Sequence, residues 1–178
     1  QQSLEEKVEQ RTKELNIKNE ELFKLSITDK LTGLYNRVKL DSVLQENMSL
    51  SLRYGNIFSV IIIDIDFFKK INDNFGHQVG DDVLKECSYI LSQNIRNVDT
   101  LGRWGGEEFL VVCPETLKDG AKDLAIKLNK AIKLHKFSTY PHSVTISVGV
   151  ASCSVNDLNY DDIISNADKA LYEAKNNG

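Results

Sequence analysis

Two adjacent glutamates, Glu107 and Glu108, follow two adjacent glycines, Gly105 and Gly106, and precede Phe109-Leu110-Val111-Val112-Cys113. The apolar run reads as a buried strand, and Asp99 to Trp104 reads as a short strand before it, joined through a two-residue Gly-Gly turn. Glycine lacks a Cβ, so such a turn can take φ > 0 and let a ligand approach the backbone. Ionised carboxylates at the mouth of a buried strand are costly unless they are paired or bind a cation. A second acidic strand end lies upstream. Ile57 to Ile65 is a β-branched and aromatic run that leads into Asp64-Ile65-Asp66. Alternation places Asp64 and Asp66 on one face and Ile61 and Ile63 on the other. Two acidic ends that meet across a sheet predict a metal-dependent phosphate site, because Mg²⁺ is held by one or two carboxylates plus substrate phosphates. For each stretch alone the competing reading is solvated acids at the end of an ordinary strand or hairpin.

The elements that must position these acids follow from periodicity. Residues 1–27 are highly charged, lack Gly and Pro, and repeat Val8, Leu15 and Leu22 at seven, with Leu4 and Leu25 on the companion seam. That pattern predicts a short coiled-coil helix, weakened by Arg11 and Lys18 on the companion seam. A helix is predicted from about Asn36 to Arg53, with Val38, Leu40, Val43, Leu44 and Leu52 inward. The Ile57–Asp66 strand and one short helical turn follow. A long helix then starts at a cap on Asp81 or Asp82, with Val83, Leu84, Cys87, Ile90, Leu91 and Ile95 inside. After the central hairpin, which Pro114 ends, come a helix from Leu117 to about Leu134, a strand from Ser143 to Ser152 and a helix from Tyr160 to Asn176. The order β-α-β-β-α-β-α is that of an α+β, ferredoxin-like split βαβ sandwich: a mainly antiparallel central sheet with flanking helices. The division expected is an N-terminal coiled-coil helix over 1–27 and a globular domain over 28–178.

Composition narrows the classes. The chain has 178 residues, 41% of them hydrophobic, and a net charge of −4 without a basic block, which argues against a general nucleic-acid grip. Three cysteines, Cys87, Cys113 and Cys153, form no CxxC pair and read as small core residues of a reducing, cytoplasmic setting. No apolar run approaches a membrane span. The first residues are already helical in pattern, so an upstream sensory domain, with or without a membrane anchor, is expected outside this sequence.

Several separated motifs then resemble the GGDEF family of diguanylate cyclases: Asp29-Lys30-Leu31-Thr32-Gly33-Leu34-Tyr35-Asn36-Arg37, Asp64-Ile65-Asp66-Phe67-Phe68-Lys69, Asn72-Asp73, Gly76-His77, Gly80-Asp81, Gly105-Gly106-Glu107-Glu108-Phe109, Ser147-Val148-Gly149 and Ala167 to Lys175. The resemblance spans about residues 26 to 178, and it implies a palm-type fold and a catalytic domain over 28–178. It implies condensation of two GTP into cyclic di-GMP, each 3′-hydroxyl attacking the α-phosphorus of the other nucleotide as pyrophosphate leaves. It further implies that Asp64, the Ile65 carbonyl and Glu107 hold Mg²⁺ or Mn²⁺, with Glu108 as the alternative ligand, and that Glu107 is also the candidate base. By the same resemblance Asn72 and Asp81 read guanine, Lys69 and Lys175 meet the triphosphate, and Lys69 counts among the catalytic residues. Phe67, Phe68, Gly105 and Gly106 belong to the substrate-binding stretches. Asp66 ranks below Asp64, and His77 is given no chemistry. The family usually continues with an arginine just after the position of Gly178.

The resemblance also implies a product-inhibition site at Arg96 and Asp99, an RxxD five residues before Gly105, and activity as a homodimer tethered through the N-terminal helix. The alternative function is a degenerate module that binds GTP or cyclic di-GMP as a regulatory receptor. Degenerate members usually lose the acidic signature or the first aspartate, and this chain keeps both.

Overall fold

The computed structural model describes residues 4–154 and 157–177. The chain runs α1 (Leu4–Ile27), α2 (Arg37–Tyr54), β1 (Phe58–Ile65), α3 (Phe68–Phe75), α4 (His77–Asn94), β2 (Thr100–Arg103), β3 (Glu108–Pro114), α5 (Lys118–Leu134), β4 (Ile146–Ser152) and α6 (Tyr160–Asn177). The four strands form one sheet in the order β2-β3-β1-β4, antiparallel throughout. This is the split βαβ α+β architecture expected from the pattern, preceded by the long helix.

β1 and β3 lie in the middle of the sheet, and every residue of β1 is buried. Ile61, Ile63 and Ile65 face α3, α4 and α5 in one apolar cluster; Val60 and Ile62 face α2 and α6 in the other. A strand covered on both faces needs a near-continuous apolar sequence, and Phe58 to Ile63 supplies it with only Ser59 interrupting. Ser59 is satisfied in the core: its Oγ donates to the Thr116 carbonyl at 2.6 Å.

Some boundaries and faces differ from the sequence reading. α4 begins at His77, after Gly76 at φ 88°, so neither Asp81 nor Asp82 caps it; both lie inside its second turn. In α2 the buried stripe is Leu40, Val43, Leu44 and Met48, while Val38 and Leu52 are exposed. At 100° per residue those two fall off the stripe. Cys87 and Cys113 are core residues, but Cys153 is half-exposed, its Sγ 3.1 Å from Ser51 Oγ. Pro114 sits within the end of β3, paired to Phe58, rather than beyond it.

α1 extends from the domain with its heptad residues in solvent: Val8, Leu15 and Leu22 are 57%, 59% and 64% exposed. Leu25 is exposed too, while the side chain of Leu4 and all of Gly178 lie outside the described residues. No helix among the described residues is long and apolar enough to cross a membrane.

Candidate active site

The ladder between the two central strands ends on its acids. Asp64 is the direct cross-strand partner of Glu108. Partners in an antiparallel pair project to the same face with Cβ atoms about 4.5–5.5 Å apart. Glu107 is one residue outside the strand, in the loop, and its carbonyl accepts from the Ile65 N–H at 3.3 Å. Because N–H and C=O of one strand residue point the same way, the Ile65 carbonyl also faces this loop. The sequence expectation of convergent acidic ends therefore describes the backbone correctly, with Glu108 rather than Glu107 opposite Asp64.

The loop itself is Gly105-Gly106-Glu107, closed by Trp104 N–H to the Glu108 carbonyl at 2.8 Å. It is one residue longer than the expected two-residue turn, and neither glycine takes φ > 0. A side chain clamps it instead. Arg103 donates from Nε and Nη2 to the Gly106 carbonyl at 3.0 and 2.7 Å, and from Nη1 to Asp29 at 3.3 and 3.2 Å. Asp29 is fixed in turn by the Thr32 N–H at 2.9 Å and the Thr32 hydroxyl at 2.7 Å. The use of Gly105 is steric: a Cβ there would lie 2.9 Å from Glu108 Oε2, so glycine lets that carboxylate fold over the loop.

Charge is concentrated on this face. Partial burial, then the neighbouring Asp64 and Asp168, push the Glu108 carboxyl above its ordinary value, while Lys175 pulls the other way. Lys175 Nζ lies 2.9 Å from Asp64 Oδ2. The ammonium thus stands where a cation is needed, and a carboxylate pair with a displaceable positive charge between α6 and the strands suits a divalent ion. Among the described residues no three His, Cys, Asp or Glu side chains form a complete cage, so substrate oxygens would have to complete the coordination. Asp66 accepts from Ser147 Oγ at 2.6 Å and is a structural acid here.

Asn72 packs against Gly80, the residue before Asp81. A Cβ at Gly80 would collide with the Asn72 amide and come within 3.2 Å of Phe68, so only glycine lets α3 pack this closely on α4. Phe67 adopts the left-handed conformation at φ 56°, ψ 25°, a rare state for an aromatic residue, and starts α3. Its side chain is exposed, with Lys70 Nζ 4.5 Å from the ring centroid. Phe68 is a core residue, so a ligand at this position would meet its backbone rather than its ring. Lys69 is exposed beside it.

Arg96 and Asp99 are mutually engaged. Nε and Nη2 of Arg96 donate to the two carboxylate oxygens at 3.2 and 2.9 Å, and Nη2 also donates to Thr116 Oγ1 at 2.6 Å. Asp99 is buried, so in this state it orients the arginine and is not itself presented to a ligand.

Three residues of this region carry no role in the sequence reading: Arg103, Arg37 and Asp168. Arg37 stacks its guanidinium 4.0 Å over the Trp104 ring, bracing the hairpin from α2. Asp168 is solvent-exposed, yet burial of part of its carboxyl raises it above the ordinary value against the pull of Arg37. Its signal in the sequence is spacing, since 168 and 175 lie two turns apart on one helix face.

A palm-type α+β domain, with its carboxylates gathered where the two central strands meet a glycine loop, is the class that fold and site define. The chain belongs to the family described as diguanylate cyclase, GGDEF domain, whose model matches residues 26–178. It is 38% identical over 159 residues to the response regulator PleD of Caulobacter vibrioides, covering 86% of this chain and 35% of that protein. The structure of the coiled coil and GGDEF domain of DgcB from Caulobacter crescentus, in complex with c-di-GMP, is similar over 99% of this chain and 96% of that one, with a TM-score of 0.89 and 27% identity. The active GGEEF domain of a diguanylate cyclase from Vibrio cholerae is similar over 80% and 92%, with a TM-score of 0.77 and 36% identity.

Proposed function

We propose that this domain is a diguanylate cyclase that joins two GTP into cyclic di-GMP and releases two pyrophosphates. The observation that carries the reading is the Asp64–Glu108 pair at the end of the central ladder, in a chain of this family. Asp64, the Ile65 carbonyl and Glu107 are the proposed Mg²⁺ or Mn²⁺ ligands, with Glu108 able to join them. When bound, the cation offsets phosphate charge and raises the acidity of the attacking hydroxyl.

The remaining work falls to the chain. Asn72 and Asp81 flank the Gly80 contact and are suited to the guanine edge, whose N1–H and 2-amino group a carboxylate can accept together. Lys175 leaves Asp64 for the triphosphate as the cation takes its place. Lys69 supplies a second mobile positive charge for the phosphates. The first N–H groups of α3, at Phe68 and Lys69, have no intrahelical acceptor and are aimed by the Phe67 turn. Glu107, in the loop clamped by Arg103, is the proposed base for the 3′-hydroxyl.

One domain holds one GTP, and the product contains two equivalent linkages, so two domains must face each other about a two-fold axis. The exposed heptad stripe of α1 supports a homodimeric coiled coil as the tether. Arg96, already oriented by Asp99, is proposed to bind product and mediate feedback inhibition. The deciding experiment incubates the protein with GTP and Mg²⁺ or Mn²⁺ and resolves the nucleotides by chromatography. Cyclic di-GMP and pyrophosphate are expected; GTP bound but unconverted would favour the receptor reading instead.

A further inference from the structure

β4 is an edge strand, and among the described strands it pairs with β1 alone. Its odd-numbered neighbours point inward: the Thr145 carbonyl accepts from Asp66 N–H at 3.0 Å, and Cys153 N–H donates to the Phe58 carbonyl at 2.9 Å. In an antiparallel ladder successive residues point opposite ways, so the even residues of β4 point out. Asn129 agrees with this, donating from Nδ2 to the Ile146 carbonyl at 2.8 Å from outside the sheet. Val148 and Val150 then present two N–H and two C=O groups to the edge, with no backbone partner there among the described residues. Natural edges are usually blunted by lysine, proline or a bulge. The segment 146–152, Ile-Ser-Val-Gly-Val-Ala-Ser, carries no charge and no proline.

The edge opens into a groove of about 800 Å³ walled by α5 on one side and reaching Ala174 of α6 on the other. Its α5 wall is one helical stripe of Lys122, Ile126 and Lys130 at four-residue spacing, with Lys133 beyond. Ile126 is 67% exposed. Among the described residues Lys130 and Lys133 have no ion-pair partner, and Lys122 has only the exposed Asp119 at 3.6 Å. The acid on the floor, Asp66, is already engaged by Ser147. A chain of net charge −4 therefore gathers positive charge beside this apolar edge strand.

We propose that the β4 edge is a docking site for an extended, acidic segment of a partner protein, added as a fifth strand along Val148 and Val150 with its carboxylates under the α5 lysines. Main-chain pairing supplies the affinity, and the lysines and Ile126 select the side chains. A second copy of this chain is a poor occupant. Two β4 edges paired about a two-fold axis would bring both sets of Lys122, Lys130 and Lys133 to one seam, and like charges repel.

The test titrates the ¹⁵N-labelled chain with a hexapeptide alternating glutamate and valine, and with versions N-methylated on either alternate set of amides. Binding should slow hydrogen exchange of the Val148 and Val150 amides by about tenfold or more, and one N-methylated set should abolish it while the other does not. The double variant Lys130→Glu, Lys133→Glu should weaken binding by about tenfold or more, and a peptide with lysine for glutamate should not bind. No binding of the acidic peptide overturns the proposal. So does equal binding of both N-methylated versions or of inorganic polyphosphate, which would make the lysines a bare anion patch. Protein-concentration-dependent protection of the same amides without peptide would assign the edge to a second copy and overturn the choice of partner.

Discussion

Asp29 and Arg103 meet across 74 residues of chain, the guanidinium within 3.3 Å of both carboxylate oxygens while its other nitrogens hold the Gly106 carbonyl. The acid that opens the domain thereby fixes the loop that carries Glu107. Asp29→Asn should lower kcat/KM for GTP by about 10–100-fold, the scale of a misplaced catalytic group, with the far-UV circular dichroism unchanged. Burial acts to raise the Asp29 carboxyl, but Thr32 and Arg103 outweigh it and hold it below the ordinary value. A depressed carboxyl contributes stability above its unfolded value and loses it as pH falls through the folded one. Acid unfolding below about pH 4 should be less steep in Asp29→Asn than in the parent, as read by thermal melts across pH.

Glu108 has the opposite sign. Its carboxyl is raised by burial and by Asp64 and Asp168, so the charged form costs stability once pH exceeds the unfolded glutamate value. Glu108→Gln should raise the melting temperature of the metal-free protein at pH 7–8, and the gain should vanish below about pH 4. Added Mn²⁺ should stabilise the parent more than the variant. A melting temperature that falls equally at every pH would show that Glu108 has only a packing role.

Gly80→Ala places a methyl group against the Asn72 amide. The expected result is a rise in KM for GTP of about tenfold or more, with kcat less affected, because the guanine contacts are displaced and the metal ligands are not. Asp81→Ala should weaken GTP binding by on the order of 1.5–3 kcal/mol per hydrogen bond lost to the charged acceptor. ATP turnover comparable to GTP in the parent would remove both residues from base selection.

Deleting residues 1–25 should lower specific activity most at dilute protein, since the tether no longer raises the local concentration of the second domain. Ultracentrifugation alongside the assay checks this. Full activity from a demonstrated monomer would contradict it.

Arg96→Ala should abolish inhibition by cyclic di-GMP while leaving initial rates unchanged, because Arg96 lies at the opposite end of β2 from the Gly-Gly-Glu loop. Asp99 is buried and holds Arg96 through two hydrogen bonds. Asp99→Ala is therefore expected to weaken inhibition and also to reduce stability, and melting curves separate the two effects.

The architecture was legible because its strands are unambiguous. Phe58 to Ile63 is too apolar for a half-exposed element, and the glycine-flanked acids mark where the central strands end. Topology alone places the acidic ends together. The register is not legible, because whether Glu107 or Glu108 faces Asp64 depends on one extra residue in the loop, which closes between Trp104 N–H and the Glu108 carbonyl. The start of α4 escapes the sequence for a related reason: Asp81 is a residue type that caps helices, but Gly76 turns the chain five residues earlier. Long-range partners such as Asp29 with Arg103 leave no local periodicity to read.

Asn36 has a mechanical consequence. Its Oδ1 caps α2 by accepting from Lys39 N–H at 3.2 Å, while its Nδ2 grips the last turn of α1 at the Ser26 carbonyl, 2.8 Å away. One amide thus ties two helices at a single joint, from which α1 extends about 36 Å. A tilt of about 10° at this joint sweeps the far end by about 6 Å. Read in reverse, a displacement of several ångströms at the tip reaches the joint as a small rotation beside Asp29, which leads directly to the Arg103 clamp. The lever ratio of such an arm would turn a coarse movement at its tip into a fine one beside the signature loop.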